Sequence, residues 1–325
     1  MSLSRTKGAG RLVTVFGGSG FVGRYVVREL ARDGWRVRVA VRKPTQAYFL
    51  KTIGDVGQVQ IVQANLRDAE SIVRACDGAD AVINMVGILK ETGRQSFQTI
   101  QHQGALWVAQ AAERALASQL IQISAIGANT DSEAVYMQTK AAGEEAVRSV
   151  MPQATIIRPS IVFGTEDEFF NRFAFLSTLL PVMPAFGGGT TRFQPVYVMD
   201  LARGIANALL DPAARGETFE IGGPKIYTLR EIYELVLEVV ERPRPIVTVP
   251  WAIARLQGSL LGLLPNAPLT REQVVMLESD NVVSDEARGL SRLGVTDLTT
   301  AEAIIPTYLW RYRRLGQFDA ELPSS

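Results

Sequence analysis

Tyr136 and Lys140 stand four residues apart, a spacing that puts both side chains on one face of a helix. Ser124 precedes them at the end of the apolar run Leu120-Ile-Gln-Ile. Together the three residue types suggest acid–base chemistry at a carbonyl or hydroxyl group. A phenol with an ordinary pKa of ~10 is a poor proton carrier near neutrality, and a nearby ammonium stabilises the phenolate and lowers that value. The serine hydroxyl would hold the substrate oxygen. Lysine is notable in a chain that otherwise uses mostly arginine, whose guanidinium stays charged and cannot act as an adjustable ammonium. An ordinary helix start could show the same tetrad, so its place directly after a strand carries the argument.

A second constellation opens the chain. The run Leu12-Val-Thr-Val-Phe ends in Gly17-Gly18-Ser19-Gly20-Phe21-Val22-Gly23-Arg24, and apolar residues at helical spacing follow at Val26, Val27 and Leu30. Strand, glycine turn and helix in that order are the context a dinucleotide fingerprint requires. The three spaced glycines serve the turn, the approach of backbone to a pyrophosphate and close packing of helix on strand. The amides that start the helix then face phosphate. At the end of the second strand, Val37–Val41, an NAD-type site would place a carboxylate for the ribose 2′-hydroxyl. This chain has Arg42 and Lys43 instead, which favour a 2′-phosphate and therefore NADP(H), with Arg24 as a third cation. Asn65 and Leu66 end the third strand where adenine is expected, and Val86-Gly87 end the fourth. Pro159, Ser160 and Ile161, at the end of a later strand, complete the expected cofactor-binding set with Ser124, Tyr136 and Lys140.

Composition removes competing mechanisms. The chain has 325 residues, one histidine and one cysteine. A multi-His or Cys-cluster metal site cannot be built, so no metal is expected, and any Ser-His-Asp arrangement would have to use His102. His102 lies in the helix-like run Ile100–Arg114, within a long Ala-rich helix expected over Phe97–Ala117, and reads as a packing residue. Cys76 rules out an internal disulfide. A net charge of +1 with interspersed signs gives no nucleic-acid footprint. No apolar stretch precedes the first strand, so a secretory signal is not expected, and no segment reaches the ~18 apolar residues of a membrane span.

Strands alternate with helices up to Leu120–Ser124 and again at Thr155–Pro159, the pattern of an α/β fold with a Rossmann-type, doubly wound parallel sheet. An acidic patch (Glu166, Asp167, Glu168) and the Phe-rich run 169–180 then leave the sheet. The expected division is a nucleotide-binding domain over 1–225, with an excursion over 165–193, and a smaller, mainly helical C-terminal domain over 226–325. Capping boxes at Thr228/Glu231, Thr270/Gln273 and Thr299/Glu302 mark its helix starts.

With the Gly17/Gly20/Gly23 turn, Ser124, Tyr136-x-x-x-Lys140, Arg158-Pro-Ser-x-Val-Phe-Gly164 and Val198-x-Asp200 in that order, the chain resembles an extended or atypical short-chain dehydrogenase/reductase. Arg158–Ala174 and Gln194-Pro-Val-Tyr-Val resemble one branch in particular, the NADPH-binding, dehydrogenase-like accessory subunits of respiratory complex I. That resemblance implies a protein that holds NADP(H) without turning it over, with Ser124, Tyr136 and Lys140 vestigial. It implies other subunits of a respiratory complex as partners, and a peripheral place on the cytoplasmic or matrix-equivalent side of an inner membrane. Two features bear on turnover: the Ser-Tyr-Lys set is intact, and Gln101 stands where many dehydrogenases carry an active-site Asn. The alternative is an active NADP-dependent reductase, epimerase or dehydratase using Tyr136 and Lys140. For attachment, Pro250–Pro265 is apolar on most sides of a helix, and Trp310-Arg-Tyr-Arg-Arg314 suits a headgroup layer or an acidic partner.

Overall fold

The computed structural model describes Gly8, residues 10–261 and residues 270–316. The chain divides into two compact units, each drawn from three stretches. The first comprises residues up to Pro159, Val198–Ile221 and Ser284–Thr296; the second takes Ser160–Tyr197, Gly222–Val283 and the residues from Asp297 on.

In the first unit, β1 (Leu12–Phe16) leads through α1 (Phe21–Arg32) to β2 (Arg36–Val41) and β3 (Val59–Gln63). Then come α2 (Ala69–Cys76), β4 (Ala81–Asn84), α3 (Gly104–Arg114), β5 (Gln119–Ile123), α4 (Val135–Val150) and β6 (Thr155–Pro159). The helix Val198–Leu210 and the strand Thr218–Ile221 complete it. The seven strands pair in the order Thr218–Ile221, β6, β5, β4, β1, β2, β3, every pair parallel. β1 is buried along its whole length, as a strand covered by helices on both faces must be, which explains its near-continuous apolar run; its one polar residue, Thr14, donates its hydroxyl to Ala75 O at 2.8 Å. Because β2 and β3 build outward from one side of β1 and β4 starts from the other, the crevice at their carboxyl ends is where such sheets take ligands.

The sequence predicts a single helix over Phe97–Ala117. A π-helical turn, Gln98–Gln103, precedes α3 instead. Its cause is the close approach of α4: the Gln101 carbonyl oxygen sits 2.2 Å from where a Cβ on Gly143 would stand. A widened turn lets that carbonyl lean into the gap. His102 is half-buried there, its Nδ1 2.6 Å from Gln98 Nε2.

The second unit has its own aromatic core, including Phe163, Phe170, Phe193, Tyr227, Tyr233 and Tyr308. Its helices include Phe170–Leu179, Leu229–Val239, Trp251–Leu261 and Arg271–Leu277, with three two-residue to four-residue strand pairings. A single boundary near 225 misses how the chain crosses between units: the departure covers Ser160–Tyr197, and Ser284–Thr296 returns to the first unit. The returning stretch is held by backbone and amide bonds, Glu220 N to Arg288 O at 3.0 Å and Asn207 Nδ2 to Leu293 O at 2.8 Å. Nothing in its local pattern announces such a partner. The supposed acidic patch is not uniformly solvated either. Asp167 is buried, accepts from Tyr308 Oη at 2.5 Å and from the amides of Gly164 and Asn171.

The capping boxes at Thr228/Glu231 and Thr270/Gln273 form. The third does not: Thr300 is the N-cap, without a side-chain bond, and Glu302 instead takes Lys225 Nζ and Tyr227 Oη. On Trp251–Leu261 Ala254 is buried, whereas Ile253, Leu256 and Leu260 are about half-exposed or more and lie at i, i+3 and i+7, one stripe. The side chain of Leu261 and all of Leu264 lie outside the described residues. The last helix breaks at Pro306 into Ala301–Ile304, Pro306–Leu309 and a turn at Trp310–Tyr312. Arg311 and Arg313 are spent on their own unit, bonding Asn171 Oδ1 and the Val239 carbonyl.

The caps give a contrast that equilibrium urea unfolding can check. Thr228→Ala removes an N-cap acceptor and is expected to cost about 1 kcal/mol, whereas Thr300→Ala removes none and should cost less than about 0.5 kcal/mol. Equal losses would contradict the assigned caps.

Candidate dinucleotide site

The glycine turn is tight because backbone packs on backbone. Gly17 has φ +80°, which the left-handed region reserves largely for glycine. A Cβ on Gly23 would stand 2.3 Å from Gly17 O, so α1 meets β1 with no side chain between them. Gly20 caps α1 without a side-chain hydrogen bond, and Phe21, Val22 and Gly23 form the first turn of α1, whose amides have no partner inside the helix. Gly18 and Ser19 lie in the turn itself. Such a cradle of amides at a positive helix end suits a pyrophosphate.

The neighbouring strand ends follow in sheet order. Beyond β2, Arg42 is exposed and donates to Gln95 Oε1, and Lys43 is exposed at the start of the turn Pro44–Thr52. Arg24 lies over the Phe49 ring at 5.0 Å. Beyond β3, Asn65 Oδ1 accepts from Arg67 N at 3.1 Å, and Leu66 is buried in the core. This bond fixes the Asn65 side-chain oxygen in the turn that ends β3. Beyond β4, Val86 N donates to Asn84 Oδ1 at 3.2 Å. Gly87 is exposed, and a Cβ on it would stand 3.3 Å from Lys140 Nζ.

Ser124, Tyr136 and Lys140 all belong to this unit. The Ser124 hydroxyl is buried with no partner among the described residues, an unmet polar atom at a strand end of the kind a ligand satisfies. Tyr136 stacks edge-on against Phe97, ring centroids 5.8 Å apart. Lys140 Nζ lies 5.9 Å from the Tyr136 ring centroid and donates to Ile123 O at 3.2 Å. The electrostatics run against the simple expectation of a lowered phenol pKa. Burial pushes Tyr136 up from 10.0 to about 12, and burial, partly offset by Glu144, brings Lys140 down from 10.5 to about 8. Desolvation penalises both charged forms, and one N–H of Lys140 is given to the Ile123 carbonyl.

Gln101 is fully engaged, its Nε2 on Ile88 O at 2.9 Å and its Oε1 accepting from Thr139 Oγ1 at 2.9 Å. Pro159 ends β6, and its carbonyl accepts from Ile126 N at 3.1 Å. Ser160 and Ile161 belong to the second unit, where Asn281 Oδ1 takes the Ser160 hydroxyl at 2.6 Å and the Ile161 amide at 3.0 Å. Sequence reasoning missed Asn281, 120 residues distant, and the buried pair Asn84–Gln122, joined at 2.8 Å between β4 and β5. Asn84 and Gln122 did leave a signal, amides inside two strands that are mostly apolar and buried. Among the described residues no group of three His, Cys, Asp or Glu gathers as a metal site.

A parallel sheet in this order, a glycine turn at its switch point and a Ser-Tyr-Lys set beyond β5 define a Rossmann-type protein of the short-chain dehydrogenase/reductase class. More narrowly, the chain belongs to the NAD dependent epimerase/dehydratase family, which it matches over residues 13–222. Among its relatives, the Arabidopsis thaliana protein named NADH dehydrogenase [ubiquinone] 1 alpha subcomplex subunit 9, mitochondrial, is 37% identical, over 87% of this chain and 73% of the relative. The NADH-ubiquinone oxidoreductase 40 kDa subunit of Neurospora crassa is 32% identical over 97% of this chain and 83% of that one. A ceramide reductase of Caulobacter vibrioides is 34% identical over 59% of this chain and 58% of its own length. Among solved structures, the dTDP-glucose 4,6-dehydratase DesIV of Streptomyces venezuelae, with NAD and TYD bound, superposes with a TM-score of 0.70. It is 18% identical, covers 93% of this chain and 96% of its own, and shows the shared fold.

The two shifts predict how stability moves with pH. Between about 8 and 10.5 the unfolded chain holds a proton that folded Lys140 has released, so stability rises with pH across that window. Between 10.0 and about 12 the folded chain keeps the Tyr136 proton that the unfolded chain has lost, so its contribution falls there. The urea midpoint is therefore expected to climb from pH 8 to pH ~10 more steeply in the wild type than in Lys140→Met. Identical slopes in the two proteins would contradict a depressed Lys140.

Proposed function

We propose that this chain holds NADP(H) as a structural group, without turning it over, and serves as an accessory subunit of a respiratory complex I. The observation that carries the reading is its similarity, along most of both chains, to proteins named as subunits of that enzyme in a plant and a fungus. The site supports it: a phenol held neutral by burial, an ammonium engaged with Ile123 O and a Gln101 with both ends occupied leave little acid–base freedom.

On this reading Gly17–Arg24 receive the pyrophosphate, and Arg42, Lys43 and Arg24 the 2′-phosphate. Asn65, Leu66, Val86 and Gly87 flank the adenine and ribose, while Ser124, Tyr136, Lys140 and Pro159 stand on the nicotinamide side. The amide cradle at α1 and the unmet Ser124 hydroxyl fit such an occupant. The dinucleotide supplies hydride chemistry when bound; the chain binds and orients it. NADP(H) is favoured over NAD(H) because two cations and no carboxylate follow β2. The exposed stripe Ile253, Leu256 and Leu260 is the attachment surface toward partner subunits. The place proposed is peripheral, on the cytoplasmic or matrix-equivalent face of an inner membrane. No helix among the described residues is long and apolar enough to cross a membrane.

A second reading, an active NADP-dependent reductase, epimerase or dehydratase, is favoured by the unmet Ser124 hydroxyl in a unit that keeps both Tyr136 and Lys140, and by the similarity to a reductase.

Gentle purification of the native protein is expected to bring NADP(H) and other respiratory-complex subunits with it, identified by mass spectrometry; a free monomer carrying NAD would overturn the first reading. Tyr136→Phe removes one hydroxyl, and nucleotide retention and co-purification should change by less than about twofold. An NADPH-dependent reduction, epimerisation or dehydration that this substitution abolishes would put the second reading first.

A further inference from the structure

A short turn, Thr92–Gln95, follows β4 in the first unit. Thr92 and Gln95 exchange both backbone hydrogen bonds, at 3.0 and 2.9 Å, across Gly93-Arg94. Gln95 Nε2 also donates to Thr92 Oγ1 at 3.2 Å. Two arginines from adjacent strand ends hold the turn: Arg42, just beyond β2, donates to Gln95 Oε1, and Arg67, beyond β3, donates to the Arg94 carbonyl at 3.4 Å. The Nε of Arg67 is buried without an acceptor among the described residues. The Ser124 hydroxyl is in the same condition at the end of β5, so two unmet polar groups bracket the carboxyl edge of the sheet from β3 to β5. The third such atom, Trp35 Nε1, lies just before β2 at the opposite edge.

We propose that Gln95 is a specificity-determining residue: the Thr92–Gln95 turn is a strap that presents Arg42 to a nucleotide 2′-phosphate, with Arg67 as its second anchor. The inference rests on the NADP(H) reading and adds to it a residue outside the glycine turn and the β2 end. An exposed arginine samples many rotamers and loses that freedom on gripping a phosphate. A guanidinium already tied by one N–H to Gln95 has lost part of it beforehand, and keeps Nε and its second fork nitrogen for a charge-assisted, two-point contact. Arg67 holds the strap from the β3 side, and its buried Nε–H is left for the adenosine end of the ligand.

The test uses the full chain stripped of nucleotide, with calorimetric titration of NADPH and NADH. Gln95→Ala is expected to weaken NADPH by about three- to tenfold and NADH by less than about twofold, while Arg42→Ala removes more of the preference than Gln95→Ala does, Lys43 and Arg24 keeping the remainder. Because NADH binding reports the rest of the site, a misfolded variant shows itself by losing both. Trypsin gives an independent readout, since Arg94 is exposed in the strap: 2′,5′-ADP should slow cleavage there and 5′-AMP should not. A wild-type chain with no preference for NADPH overturns the cofactor reading and the strap with it. A wild-type preference that Gln95→Ala leaves intact, or equal protection of Arg94 by the two adenylates, overturns the strap alone.

Discussion

Gly23 leaves no room for a side chain between α1 and β1, and the first unit is arranged around that contact. With a would-be Cβ 2.3 Å from the Gly17 carbonyl, any larger residue would push the helix off the strand and turn its first amides away from the carboxyl edge of the sheet. The contact is costly to alter because both partners are backbone, which cannot move to another rotamer. From it follow the direction of α1, the position of the amide cradle and the crevice between β1 and β4, where sheets of this kind take ligands. The strands beside it are buried on both faces, so their order is fixed by the same packing.

Burial also decides the character of the Ser-Tyr-Lys set. A tyrosine next to a lysine would ordinarily be read as an activated acid–base pair. Here both groups have lost water, and desolvation moves each toward its neutral form, the phenol to about 12 and the amine to about 8. An ammonium that donates to the Ile123 carbonyl and lies 5.9 Å from the ring centroid does little to stabilise a phenolate. The same residues that define the class therefore suit retention of a nucleotide at least as well as turnover.

The second unit is held by a different chemistry. Its core is aromatic, and buried or half-buried polar ties such as Asp167–Tyr308 and Asn281–Ser160 join stretches 141 and 121 residues apart. Such ties need both partners present, since a buried carboxylate or hydroxyl stripped of its bond carries a desolvation cost of about 1–3 kcal/mol. Around this core the helix Trp251–Leu261 buries Ala254 and leaves three larger apolar side chains in water, an arrangement with a use only if something covers them.

Local patterns were enough for much of the architecture. The mostly apolar run of β1, the glycine spacing and the alternation of strands and helices follow from periods of 2.0 and 3.6 and from backbone sterics, which act within a few residues. The caps at Thr228 and Thr270 are equally local, and both form. What the chain could not announce depends on partners far along it. Thr299/Glu302 fits the capping pattern as well as the other two, yet Glu302 bonds Lys225 and Tyr227. The return of Ser284–Thr296 to the first unit depends on partners far along the chain, Asn207 and Glu220 among them. The helix expected over Phe97–Ala117 opens into a π turn where α4 crowds it at Gly143. Residue types alone placed Tyr136 beside Lys140, because helical spacing is a local property; the pKa values of the pair were decided by burial, which is a sum over the whole fold.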